Sequence, residues 1–151
     1  MRISSVVISA LSAVVCLCST PARSQNIIKN LGPNPVIAGV PLVCGGATSY
    51  VAMIPDIAMA QPGTLLFRPD FFNLPPYMQW FVYAHECAHQ VVGSNEQAAD
   101  CFAVKLGRNQ GFFPPQAIQQ ICAFTFPSPG DWTHFPGPLR CQQMQICYNT
   151  P

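Results

Sequence analysis

Ala84-His85-Glu86-Cys87-Ala88-His89-Gln90 is the stretch from which the rest of this chain is read. Residues four apart on an α-helix lie one above the other on a single face, so His85 and His89 turn two imidazoles toward one point. Glu86 follows one step later, within reach of a water held at that point but not aimed to be a ligand. Two imidazoles converging beside a carboxylate make a cation site with a base next to it. The competing reading of the same string is a half-buried amphipathic helix whose histidines merely find hydrogen bonds. Composition weighs against it. His85, His89, His134, Glu86 and Glu96 are all the histidines and glutamates of a chain that is 9% charged, and four of the five fall between residues 85 and 96.

The surrounding pattern predicts the helix. Asn73-Leu74-Pro75-Pro76 is an entry, with prolines where the first turn tolerates them. Apolar residues recur at Tyr77, Trp80, Phe81, Ala84, Ala88 and Val91/Val92, a stripe that faces a core. Gly93 ends this helix. Ser94-x-x-Gln97 has the pattern of a capping box opening a second helix to Leu106. So short a turn makes the two helices antiparallel. A catalytic zinc takes three protein ligands and keeps one open position. Glu96-Gln97-Ala98-Ala99-Asp100 offers two carboxylates on one face of the second helix. Glu96 is taken as the third ligand, with Asp100 accepting the outer N–H of a ligating histidine. The swapped assignment stays open.

Upstream, residues 25–43 carry Pro33, Pro35 and Pro41 and read as an extended arm without helix, one that could lie across the cleft. Cys44-Gly45-Gly46 is a turn, and residues 49–55 and 64–68 are β-compatible runs around Pro62-Gly63. They suggest an antiparallel hairpin or part of a small sheet. Downstream, Phe113-Pro114-Pro115 opens a third helix to about Phe124. A Pro/Gly-rich loop spans residues 127–138, and a fourth helix runs from about Pro138 to Cys147. The class is α+β: mainly helical, with a short antiparallel sheet.

Met1-Arg2 followed by the apolar, Ser/Ala-rich run 3–18, with Ala22-Arg23-Ser24 at the cleavage-defining positions, reads as a signal peptide over residues 1–24. The expected product is secreted or periplasmic, one domain over residues 25–151. Its five cations against six carboxylates leave no basic patch for nucleic acid, and no second apolar run reaches membrane length. Cys44, Cys87, Cys101, Cys122, Cys141 and Cys147 remain, and an even count in a small exported chain reads as three disulfides. Cys87 falls opposite Cys101 in the helical hairpin and is a candidate to clamp it, although each could pair elsewhere. Cys141 and Cys147 point apart on one helix and are expected to reach Cys44 and Cys122 in an order the spacing leaves open. Oligomeric state is not legible.

Glu96-x-x-Ala99-Asp100 followed by Cys101-Phe102-Ala103-Val104-Lys105-Leu106-Gly107 resembles the third-ligand helix of gluzincin metallopeptidases. The nearest likeness is to the CAAX prenyl endopeptidases, the HtpX-type proteases and their small soluble relatives, the minigluzincins. That family also carries a Thr-His-Pro motif with an arginine six residues after its histidine, which Thr133-His134-Phe135-Pro136 and Arg140 resemble. The resemblance implies a zincin-like domain with one Zn2+ per chain, held by His85, His89 and Glu96 and supported by Asp100. It further implies that His134 helps stabilise the oxyanion and that Arg140 orients His134 or the site carboxylates. The edge strand beside the zinc helix, here residues 64–67, would hold an extended peptide as an added strand.

The expected function is thus an exported zinc metalloendopeptidase acting on peptide or protein substrates. Zinc in such a site brings the pKa of bound water from about 16 toward about 7. Glu86 is then the general base that takes the water's proton and returns it to the leaving amine. Two rivals stand beside it. A zinc-stabilised secreted binding or regulatory module would bind metal without turnover, although a purely structural site has no use for Glu86. A disulfide-rich secreted protein without metal would contain no zinc.

Overall fold

The computed structural model describes residues 26–125 and 127–151; the predicted signal segment lies outside the described residues. Six strands precede four helices. β1 (Asn26–Gly32), β4 (Thr48–Met53), β5 (Ala58–Gln61) and β6 (Thr64–Phe67) form one sheet in the order β1-β4-β6-β5. β2 (Val36–Ile37) and β3 (Val40–Pro41) make a separate small hairpin. A 3-10 turn over Pro69–Asn73 leads into α1 (Pro76–Val92), followed by α2 (Glu96–Asn109), α3 (Pro115–Thr125) and α4 (Gly137–Asn149). The α+β expectation holds. Among the described residues no helix is long and apolar enough to cross a membrane.

The sheet is mixed rather than purely antiparallel, because β4 and β6 pair in parallel. They are not two arms of one hairpin. The intervening Ala58-Met59-Ala60-Gln61 forms its own strand, turns at Pro62-Gly63 and pairs antiparallel with β6. Its small residues lack the β-branched signature that announces a strand. β5 is therefore the outer strand, and β6 is interior.

The arm expected over residues 25–43 contains no helix among its described residues and instead forms β1 and the β2–β3 hairpin. β1 adds to β4 at the sheet edge opposite β5, with two register irregularities that blunt an exposed edge.

α1 is the axle. One side packs Met78, Phe81 and Ala84 against Val104, Ile118, Ile121 and Met144 of the other helices and Phe113 of the α2–α3 connection. The other side lays Tyr83 against Phe67, stacked at 5.8 Å, with Phe71 behind it. Gln79 Nε2 donates to the carbonyls of Leu74 and Phe72, and Trp80 Nε1 donates to the Ile37 carbonyl at 2.9 Å. Gly93 adopts φ 64° and stops the helix. The next helix is capped by Asn95, not by Ser94: its Oδ1 accepts the Ala98 N–H at 3.0 Å. Asparagine is as good a cap as serine, and here it stands immediately before the first helical residue.

Three disulfides tie these layers: Cys44–Cys87, Cys101–Cys147 and Cys122–Cys141. The expected Cys87–Cys101 clamp does not form, and Cys147 meets Cys101 rather than Cys44 or Cys122. Level along a hairpin was the wrong measure; direction around the helix decides. Cys87 lies two residues from His85, about 200° around the axis, so it points away from α2 toward the segment after β3. Cys101 is turned about 100° from Asp100 and faces α4. Each crosslink closes a loop of the unfolded chain, worth about 3 to 4 kcal/mol in the chain-entropy picture.

Candidate metal centre and active site

His85 and His89 leave α1 on the side that faces the first two turns of α2, where Glu96 and Asp100 point back. His85 Nε2 lies 3.1 Å from His89 Nε2 and 2.9 Å from Glu96 Oε2, and His89 Nε2 lies 3.4 Å from the same oxygen. Metal bonds of 2.0–2.1 Å in tetrahedral array place neighbouring ligand atoms about 3.3 Å apart. The three atoms fall on that spacing, and together they form a group that could hold a metal ion.

The outer ring nitrogens decide which lone pairs are free. His85 Nδ1 faces Asp100 Oδ1 at 2.9 Å, and His89 Nδ1 faces the Gly93 carbonyl; both partners only accept. Each Nδ1 therefore carries its hydrogen, and the neutral tautomers turn both Nε2 lone pairs toward Glu96. Two imidazole lone pairs and a carboxylate oxygen at these separations repel one another unless a cation lies between them. That donor set fits zinc or a similar transition metal.

A proton meets the same need in the metal-free chain. Burial disfavours charge on His85, but the hydrogen bonds it donates to Asp100 and Glu96 outweigh it and raise the imidazole to about 9. Burial likewise works against ionisation of Glu96 and Asp100, and hydrogen bonds to His85 hold both carboxyls below the ordinary range. Asp100 also receives a two-pronged grip from Arg140, Nε to Oδ2 at 2.6 Å and Nη2 to Oδ1 at 2.7 Å. Arg140 comes from the first turn of α4 and so joins a third helix to the site. Of the two orientations open to it, the guanidinium takes the carboxylate and not His134. Asp100, spent on His85 and Arg140, is the supporting group, and Glu96 is the one placed to ligate.

Glu86 is 9% exposed, and its carboxylate makes no hydrogen bond to any described residue. Burial, partly countered by His85 and His89, raises its pKa above the ordinary carboxyl value. A base raised in this way gains proton affinity while remaining beside the ligand cluster.

His134 arrives from the loop before α4. Its Nε2 is 2.9 Å from Glu96 Oε2 and its Nδ1 is 3.0 Å from Asp131 Oδ2. Asp131 builds this loop: Oδ1 accepts the N–H of Thr133 at 2.7 Å and of His134 at 2.8 Å, and the Thr133 hydroxyl at 2.8 Å. These donors, the His134 N–H foremost, hold the Asp131 carboxyl far below its usual range although it is exposed. Gly130 has φ 78°, and a Cβ there would meet Pro136 N at 2.6 Å, so the turn admits glycine alone. Asp131 was not singled out in the sequence, yet Asp-x-Thr-His is the spacing of an Asx turn and would have given it away.

β5 packs beside α1. Gln90, directly after His89, bridges to the β5–β6 turn: its Nε2 donates to Gln61 O and its Oε1 accepts the Gly63 N–H, both at 2.9 Å. The antiparallel register makes Met59 and Gln61 the residues bonded to β6. The backbone groups of Ala58 and Ala60 therefore face outward. The exposed edge beside α1 is thus residues 58–61 and not residues 64–67.

Compared with known protein families, curated proteins and solved structures, the chain matches none.

Proposed function

We propose that this chain is a zinc-dependent metalloendopeptidase of the gluzincin type, exported and active on extended peptide segments. The observation that carries the reading is the buried Glu86 carboxylate, with no hydrogen-bond partner among the described residues, beside two Nε2 atoms 3.1 Å apart. His85, His89 and Glu96 would hold the ion, which supplies an acidified water and a polarised substrate carbonyl when bound. Glu86 takes the proton of the attacking water, and its raised proton affinity suits it to hand that proton to the departing amine. Asp100, itself held by Arg140, keeps His85 in the tautomer that ligates. His134, its Nδ1 held by Asp131, sets its Nε2 at the rim of the cluster, where in the doubly protonated ring it would donate to the charge that develops on the carbonyl oxygen. Backbone groups of the partly exposed Ala60 on the β5 edge are available to align an extended peptide with the cluster.

The test is Glu86→Gln. The variant is expected to retain one zinc per chain, measured by elemental analysis, and to lose at least about 100-fold in hydrolysis of an unfolded protein substrate. Wild-type turnover in that variant would end the peptidase reading. Zinc without turnover in the wild-type chain would leave a binding module.

A further inference from the structure

Trp132 is the most exposed large apolar residue among those described: its side chain is fully solvent-accessible, two positions before His134. Phe135, just past His134, is 38% exposed. Tryptophan carries 150–250 Å² of surface that water disfavours, so leaving it uncovered in a loop is costly. Mobility does not explain the exposure. The loop is pinned by the four hydrogen bonds that Asp131 accepts, by Asp131 N–H to His134 O at 3.0 Å, and by Gly137 N–H to Ser128 O at 2.9 Å. Gln97 of α2 adds a bond to the Thr133 carbonyl at 3.3 Å. The loop backbone that carries the indole is thus held beside the ligand cluster, where His134 meets Glu96.

We infer that Trp132, flanked by Phe135, is a specificity-determining platform that selects peptides with an aromatic or large aliphatic side chain within about three residues of the cleaved bond. The inference rests on the peptidase reading and extends it to a substrate class. A loop backbone already held in place spares a binding peptide the ordering of that segment, leaving only the indole rotamer to be fixed. An extended chain rises about 3.3 Å per residue; Trp132 stands two residues from His134, whose Nε2 is 2.9 Å from Glu96 Oε2, so a peptide held at the cluster would come within reach of the indole over about three residues. The neighbouring Asp131 carboxylate, held ionised, argues against an anionic lipid surface as the occupant.

The experiment uses the zinc-loaded full chain and internally quenched peptides in matched pairs, Phe against Ala, at each position flanking the cut. Wild type is expected to prefer one Phe peptide about tenfold. Trp132→Ala should bring that ratio near one, and Trp132→Phe should restore most of it. A ratio unchanged in Trp132→Ala overturns the inference while leaving the peptidase reading intact. Binding is read separately in the Glu86→Gln background. Of the two tryptophans, Trp80 is committed to the Ile37 carbonyl, so emission from exposed Trp132 should shift on titration with the preferred Phe peptide. If the wild type cuts nothing, the peptidase reading falls, and this titration alone decides whether Trp132 engages apolar peptide. Emission that responds to phosphatidylglycerol vesicles or to protein concentration, but not to peptide, also overturns it.

Discussion

Two regions bring histidines to the same carboxylate by opposite means. In the α1–α2 hairpin, helical periodicity and a buried core place His85 and His89, and the charges are compensated inside the protein by Asp100 and Arg140. In the loop before α4, an exposed aspartate folds the backbone around itself and aims His134 at Glu96 from the solvent side. Under the proposed function, the hairpin would hold position against the pull of a cation, and the loop would present His134 and an apolar face to an arriving peptide. Disturbing the first should act on metal, and disturbing the second should act on turnover.

The largest effect falls on the hairpin. His85→Ala is expected to take zinc from one per chain to trace levels by elemental analysis, because two remaining ligands do not make a catalytic site. Next comes pH. In the metal-free chain His85 is raised to about 9 from an ordinary 6.5. Its contribution is full below the unfolded value and disappears as pH rises through the folded one. Urea denaturation of chelator-treated protein should therefore lose about 3 kcal/mol between pH 6.5 and 9, and His85→Gln should flatten that slope. An unchanged stability across this window would remove the proton from its place between the carboxylates.

Arg140→Leu should weaken zinc about 10- to 100-fold in a competition titration, since Asp100 loses the partner that holds it against His85. Asp131→Ala sharpens the contrast. It is expected to leave zinc affinity within about twofold and to lower kcat several-fold, because only the His134 loop loses its brace. Equal damage to metal binding from Asp131→Ala and Arg140→Leu would erase the division between the two regions.

The parts of the molecule legible in the sequence were those governed by local period. The span of α1, the turn at Gly93, the antiparallel partner helix and the Glu96/Asp100 pair all follow from spacing along one chain segment. The disulfides were not legible, because azimuth on a helix matters only once its neighbours are in place: Cys87 faces the segment after β3, and Cys101 faces α4. β5 hid among alanines, and missing it turned the sheet antiparallel on paper and put the open edge on the wrong strand. Asp131 was passed over because a single exposed carboxylate in a Pro/Gly-rich loop has no periodic company.

The Cys44–Cys87 bond lies in the middle of the metal-binding string, on the far side of the helix from its histidines. A helix held only by side-chain packing can roll about its long axis. At an outer radius of about 5–6 Å, a roll of about 10° sweeps a side-chain tip through about 1 Å, a displacement that can cost two orders of magnitude in rate. The disulfide acts as a key in a shaft, adding a covalent stop to the rotation that the Trp80 and Gln90 hydrogen bonds also restrain. A chain made under reducing conditions would keep its helix but lose that angular setting, so thiol oxidation and alignment of the imidazoles become a single event.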